Sequence, residues 1–286
     1  MAPAQHPART VARLVGVFHN ISYYAPEMRA FAELGLPEYW RAYMAYRSAP
    51  MGRVAPSTVA AVFYNFAPRM VEAGLPSAWD STTPTEVLQL RDTCIDRALR
   101  RALGDRLDSA DVASAAAMTR EAVEDLDASG RPVFAAHQQL PWPTTPHMAL
   151  WHGCTLWREY RGDGHNIALA AAEIDGLTCH VLLAAKGVGD RDMIRKIRGW
   201  TADEWTAAAE KLQQRGLIDA EGDFTDAGRA LRAEIEDHTD RLAGAPCDRV
   251  GPARVARLVE QVGPLVETLV STGAVAGRWP PPKPVG

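Results

Sequence analysis

The sequence predicts a mainly α-helical protein of two echoing halves, with a small β-hairpin set between two helices near residue 220. Three observations carry that reading. Apolar residues recur at helical spacing along most of the 286 residues, and Pro and Gly close the stretches between. Thr201 with Glu204 three residues on is a capping box, the sharpest helix start in the chain. After that helix, R-G-L-I (215–218), a turn at Gly222 and F-T-x-x-G (224–228) read as two short strands leading into a further helix.

Taken in order, residues 9–18 form a first helix ending near His19 and Asn20. Pro26 precedes a helix over 27–34, with Gly35 as its C-terminal cap. Residues 40–46 continue helically and stop at R-S-A-P-M-G, where Pro50 and Gly52 cannot extend a helix. Pro56 suits a first helical turn and opens a helix through Phe66. Pro68 and Gly74-Leu75-Pro76 break the next piece, and residues 81–85 supply caps for a long helix over 86–103. Residues 108–126 give an Ala-rich helix, and 138–147, with three Pro in ten residues, mark the best boundary. The expected units are an N-terminal helical domain (1–137), that linker, a second domain (148–250), and a C-terminal helix with a Pro-rich tail (251–286).

The second half opens with a helix over 147–161, expected to break at Gly162-Asp163-Gly164. A short helix follows over 166–173. Residues 178–185 are a helix or a strand, which periodicity alone leaves open. Residues 190–198 carry Arg191, Arg195, Lys196 and Arg198 against only Asp190 and Asp192. Helices over 201–214, 226–242 and 255–272 complete the chain, and R-W-P-P-P-K-P-V-G is an extended tail laid on the surface. The halves echo each other: Tyr46-Arg47 before a breaker turn matches Tyr160-Arg161 before G-D-G-H, with Trp40 and Trp157 preceding and Trp79 and Trp200 following. That match would bring Arg47 and Arg161 to equivalent places near a seam, where small-molecule sites commonly form.

Composition excludes several classes. A hydrophobic share of 47% supports a packed core and argues against wholesale disorder. A net charge of −4 gives no global basic field towards nucleic acid or anionic lipid. Cys94, Cys154, Cys179 and Cys247 lie far apart without a C-x-x-C pair, the pattern of reduced thiols. With no signal-peptide core and no apolar run near the roughly 20 residues of a membrane span, a cytoplasmic protein without membrane contact is expected.

The stretch from Leu150 to His165 is the densest in chemistry, with Trp151, Trp157, His152, His165, Arg158, Arg161, Glu159 and Asp163. Polar groups beside large apolar ones are costly to bury unless they satisfy each other or a ligand, so this stretch reads as the lip of a pocket. His165 and Glu159 are the candidate acid–base residues. Arg161, Asp163, Tyr160, Trp157 and His152, joined by Arg47, His19 and Tyr24, are the candidate ligand contacts. The plainer reading stands beside it: Arg161 meeting helix-end carbonyls, Asp163 capping a helix, the Trp residues anchoring cores. His152 and Glu159 share a helix face but sit about 10 Å apart along the axis, and no His pair has zincin spacing, so no metal is expected. No motif names a cofactor; haem would have to take His19 or His165. Nucleophile elbows and phosphate or dinucleotide loops are absent.

A DNA reading would lay helix 201–214 in the major groove and use Arg191, Arg195, Lys196 and Arg198 as its basic set. Asp203 and Glu204 in its first turn, and Asp219, Glu221 and Asp223 in the hairpin, oppose the phosphate contacts that supply most affinity. Nucleic acid is therefore disfavoured as a partner.

Helix, R-G-L-I, short hairpin, F-T-x-x-G, helix resembles the winged helix of MarR-type regulators. More widely, R-S-A-P-M-G with F-Y-N-F-A-P (63–68), L-W-H with R-E-Y-R-G-D-G-H (150–165), and R-G-W-T (198–201) are similar to an actinobacterial group labelled SalK-type, with a helix-turn-helix domain. The resemblance spans about residues 18–242 and implies a mostly helical, C-terminal winged-helix fold; it names no reaction. Tyr160 departs from it, since the group favours His there. The leading expectation is a cytoplasmic small-molecule-binding protein on a winged-helix scaffold that binds DNA weakly. The alternatives are a dimeric ligand-responsive MarR-like regulator using the basic helix, and an enzyme of specialised metabolism with His165 as acid–base residue.

Overall fold

Helix succeeds helix along the chain in this computed structural model, which describes residues 6–185, 187 and 190–276. α1 (Pro7–His19) is capped by the His6 side chain, and the single turn α2 (Ile21–Tyr24) follows it. A 3-10 segment, Pro26–Leu34, ends at Gly35 in the left-handed region. α3 (Tyr39–Ser48) runs into a 3-10 turn, Ala49–Met51. α4 (Pro56–Phe63) and α5 (Pro68–Gly74) each begin on a Pro, whose missing N–H has no intrahelical partner to lose there. α6 (Pro84–Leu103) starts from a second capping box, Thr83 with Glu86. α7 (Ala110–Val123), α8 (Pro132–Gln138) and the 26-residue α9 (Pro146–Ala171) follow. The chain continues through α10 (Thr178–Ala185), α11 (Arg191–Ile197), α12 (Ala202–Gln214) and α13 (Asp226–Leu242). It ends with α14 (Ala245–Val250) and α15 (Pro252–Ser271). No helix among the described residues is long and apolar enough to cross a membrane.

α9, about 39 Å long at 1.5 Å per residue, is the axis on which the rest is assembled. α1, α7, α8 and α13 all pack against it. Its Leu150, Trp151, Cys154 and Trp157 are buried with Phe18, Leu99, Leu258 and Val262 from α1, α6 and α15. A second core joins α3, α4, α5 and α6 around Met44, Val59, Phe66 and Leu75. A third gathers the end of α9 (Ala168, Leu169) with Val181, Ile194, Trp205, Leu212 and Ile235 from α10 to α13. In α12 the capping box sets the register: Trp205, Ala208 and Leu212, three and four residues apart, turn one face inward.

Several sequence expectations are corrected. The β-hairpin wing does not form. Among the described residues there is no strand, and Ile218 and Phe224 make one isolated antiparallel bridge. Asp219 Oδ1 accepts from the amides of Glu221 (3.1 Å) and Asp223 (2.8 Å), which closes a tight turn instead of a ladder. Thr225 then caps α13 through the Gly228 amide at 3.0 Å, leaving no length for a returning strand. The fold is mainly α without a wing.

The break at Gly162-Asp163-Gly164 is likewise absent, because α9 runs straight through it. Glycine inside a helix costs about 1 kcal/mol against Ala, and here close approach uses the missing side chain. A Cβ on Gly164 would lie 2.9 Å from Arg131 Nη1 and 3.2 Å from Leu242 Cβ. The turn that aligned the two halves therefore exists in only one of them: Ala49–Met51 is a 3-10 turn, and the matching residues of α9 are helical. The 178–185 ambiguity resolves as helix α10. The tail from Arg278, and residues 186, 188 and 189, lie outside the described residues.

Candidate functional site

A polar cavity of about 340 Å³ lies where three groups of helices meet. Tyr43 and Arg47 enter from α3, Val62 and Phe63 from α4, and Asn65 from the residues after it. α9 contributes the row from Arg158 to Asn166, α13 contributes Glu236, and Arg198 follows directly after α11. The walls come from distant parts of the chain, and Asn166 Nδ2 ties two of them by donating to the Val62 carbonyl, 104 residues away, at 3.2 Å.

Three charged groups and a phenol define one side. Arg47 retains 15% of its side-chain surface, lies 4.0 Å from Glu159 Oε2, and donates from Nη1 to the Tyr43 hydroxyl at 3.1 Å. Its guanidinium carbon sits 4.2 Å from the centre of the Phe63 ring. The Arg47 Nε–H is buried without a hydrogen-bond partner among the described residues. Arg158 pairs with the buried Glu159 next to it. Burial pushes the Glu159 carboxyl up, but Arg158, Arg47 and His137 outweigh it and keep it below the ordinary value, so it is ionised. Burial likewise raises the Tyr43 phenol, and Arg47, Arg198 and Arg158 together bring it below normal. Arg47 and Arg158 thus share one carboxylate, leaving this side net positive before Arg198 is counted.

The other side is more completely paired. Arg161 Nη1 bonds Asp240 Oδ1 at 2.6 Å and its Nη2 reaches Glu236 at 3.5 Å. Asp163 Oδ2 accepts from the amides of Val133 (3.0 Å) and Phe134 (2.9 Å), capping α8 from outside that helix. Burial nevertheless pushes its carboxyl up to about 7. His165 Nδ1 meets Thr239 Oγ1 at 2.9 Å, and burial lowers the imidazole to about 4. An imidazole this weakly basic stays neutral near pH 7, where it hydrogen-bonds well and serves poorly as a general base.

The remaining predicted contacts lie elsewhere. Trp157 and Tyr160 face the core, with Tyr160 edge-on to Phe134 at 5.0 Å and beneath the Arg131 guanidinium. His152 is buried edge-on against Trp142 at 4.7 Å; burial lowers it to about 3, and its Nε2 has no partner among the described residues. His19 stacks on Trp151 and is held by Thr155 (2.8 Å) and the Tyr23 hydroxyl (3.1 Å), one side chain removed from the cavity. Tyr24 lines a separate aromatic cavity. No group of three His, Cys, Asp or Glu placed to hold a metal ion occurs among the described residues.

The basic set of α11 divides. Arg191 and Lys196 are exposed, and Arg195 is half-buried, bonded to the Trp200 carbonyl (3.3 Å) and Asp192 (3.4 Å). Arg198 instead turns inward over the Phe66 ring at 4.2 Å and hydrogen-bonds Tyr43. The turn it occupies needs Gly199 at φ 75, a conformation L side chains rarely adopt; a Cβ there would also lie 2.9 Å from Met70 Cβ. Three contacts hold this turn to the α4–α5 region. The Ala67 amide donates to the Arg198 carbonyl (2.8 Å), Trp200 Nε1 to the Asn65 carbonyl (3.1 Å), and Arg69 bonds both Gly199 and Glu204. In the first turn of α12, Glu204 is spent on Arg69 and on the capping box.

Sequence reading missed Tyr43, Arg158, Asn65 and Asn166 as cavity residues and assigned Arg198 to DNA. Tyr43 and Arg47 stand four apart on α3, a spacing that could have paired them. Arg158 lies in the charge-dense stretch 150–165 but was not singled out, and Asn65 and Asn166 carry no local signal; the fold brings them to one cavity.

A family model described as a helix-turn-helix family matches residues 8–276. No curated protein matches the chain, and no solved structure does.

Proposed function

The chain belongs to that helix-turn-helix family, and from this premise we propose that it is a regulator-like protein that binds a small anionic molecule and contacts DNA weakly. One observation carries the reading: Arg47 and Arg158 converge on one shared carboxylate, Glu159, in the cavity lining, and the buried Arg47 Nε–H has no acceptor among the described residues. A guanidinium fork matches the geometry of a carboxylate or phosphate, and its strength grows as water is excluded. Binding is favoured over catalysis because the one imidazole on the wall, His165, is neutral and held by Thr239. Weak DNA contact follows from the acids of α12 and from Arg198, which turns away from solvent towards Tyr43. A cytoplasmic location is part of the same proposal, in keeping with four free thiols.

The test is a thermal-melting and calorimetric series with acetate, inorganic phosphate and neutral acetamide. Stabilisation by an anion that acetamide does not reproduce, and that Arg47→Met removes, supports the reading. An equal response to acetamide, or an undiminished response in Arg47→Met, overturns it.

A second reading has its own support. Arg198 joins the cavity to the turn between α11 and α12, the helix pair a helix-turn-helix regulator presents to DNA. A cavity occupant that engaged Arg198 would bias that turn, which is how a ligand-responsive regulator works. It requires a gel shift with upstream DNA that the joint substitution of Arg195 and Lys196 by Ala abolishes. A shift that survives the substitution, or none at all at low salt, removes this reading.

A further inference from the structure

Tyr43 is a shared wall. On its hydroxyl side lies the cationic cavity; on its ring side lies a second cavity of about 380 Å³, built from α2, the 3-10 segment Pro26–Leu34 and α3. That second space is aromatic: Tyr23, Tyr24, Phe31, Tyr39 and Tyr46 line it with Met28. The Tyr43 ring lies 5.3 Å from that of Tyr23 and 5.8 Å from that of Tyr46, centre to centre. Tyr23 touches the cationic side too, with the Arg158 guanidinium 5.8 Å from its ring centre. Tyr43 is thus the residue common to both linings.

The mouth and the floor of the aromatic space differ in a telling way. Phe31, Tyr43 and Tyr46 are buried, whereas Tyr24 and Tyr39 remain 39% and 52% exposed. Exposed rings above a buried aromatic floor offer a flat molecule faces to stack on and edges to meet, contacts worth more than area alone. Each cavity by itself is near the small end of ligand sites, about 300–1,000 Å³. An apolar body in one and a charged head in the other would use both.

Resting on the anion-binding reading above, we propose that the ligand is a flat aromatic or conjugated molecule bearing one anionic head group. The head meets Arg47 and Arg158, the body lies among the tyrosines, and Tyr43 turns aside to join the two spaces. Met28, an unbranched thioether, adapts the aromatic chamber to the outline of the body. Specificity then has two independent parts, charge at one end and planarity at the other.

The experiment titrates the full-length protein calorimetrically with acetate, benzoate, 2-naphthoate and the neutral 2-naphthamide. Affinity is expected to climb along the three carboxylates, with 2-naphthoate at least tenfold tighter than acetate. Ala42→Phe, which fills the aromatic chamber from α3, is expected to erase that gain and leave acetate binding unchanged. Should that variant fail to fold, Met28→Trp fills the same space, and the wild-type series decides by itself. A naphthoate no tighter than acetate overturns the two-chamber ligand while leaving anion binding intact. A naphthamide as tight as naphthoate overturns the charge reading beneath it, and the absence of binding by all three carboxylates defeats both.

Discussion

Arg47 and Glu159, 112 residues apart in the chain, face each other at 4.0 Å in the lining of one cavity. Their relation is looser than a closed ion pair. Arg158, the neighbour of Glu159, takes the nearer contact, so Arg47 keeps part of its donor capacity free. A carboxylate shared by two guanidiniums can be partly displaced by an incoming anion, which is how such a site binds without exposing a bare charge beforehand.

Removing the looser partner should separate binding from folding. Arg47→Met is expected to weaken anion binding at least tenfold and to lower stability by about 1 kcal/mol, since the apolar stem of Met keeps contact with Phe63. Calorimetry and urea unfolding on the same sample would check both halves. A loss of stability several times larger would make Arg47 a structural residue instead.

Glu159→Gln should act with the opposite sign on binding. With the carboxylate neutralised, Arg47 and Arg158 have no anionic partner from the protein at that position, and an added anion is expected to bind severalfold more tightly. Stability should fall by about 2–4 kcal/mol, because a buried carboxylate paired to a guanidinium is being removed. Weaker anion binding in this variant would count directly against the site.

Gly164→Ala tests why a glycine sits inside α9. Helix propensity alone favours Ala by about 1 kcal/mol. Contact with Arg131 and Leu242 opposes it, and the expected net result is a destabilisation of about 1–3 kcal/mol. Gly162→Ala, whose Cβ would meet Glu159 Oε2 only at 3.6 Å, serves as the control and should stabilise by up to about 1 kcal/mol. Melting curves that rank the two in the reverse order would defeat the packing account.

Acid should unfold the protein earlier than its carboxylates alone dictate. Burial lowers His19, and takes His137 and His165 to about 4 and His152 and His180 to about 3, from an ordinary 6.5. A histidine whose folded value is depressed binds its proton more readily unfolded, so stability falls as pH drops from about 6.5 towards 4. Each proton taken up contributes about 1.4 kcal/mol per pH unit. Asp163 works the other way: raised to about 7 by burial, its carboxyl favours the fold at lower pH and opposes it as pH rises from about 4 to 7. Five histidines outweigh one aspartate. Urea midpoints should therefore fall steeply from pH 6.5 to 4.5, and His152→Gln should flatten the slope; a flat profile would refute the assignment of neutral buried imidazoles.

Much of the architecture was legible from the residues alone. Pro at first turns, Thr201 with Glu204, and apolar stripes at three- and four-residue spacing are local signals, so α6, α7, α12, α13 and α15 appear close to where periodicity places them, whereas α8 and α14 were not anticipated. Local signals failed where tertiary contacts overrode them. Gly162 and Gly164 read as a turn, yet α9 continues through both, and Arg131 and Leu242 approach it closely at Gly164, where a side chain would crowd them. The hairpin failed for the opposite reason, because Asp219 satisfied its own turn amides and left one bridge where a ladder was expected.

What the sequence determined by itself is the helical class, the helix starts, and the clustering of charge in residues 150–165, all set by interactions within a few residues. Which of those charges meet in one place was decided only by the tertiary structure. Tyr43, Arg47, Asn65 and Arg198 line one cavity with the α9 row, although they come from distant parts of the chain. Such packing is governed by shape and by the burial of apolar faces, and no spacing along the chain encodes it.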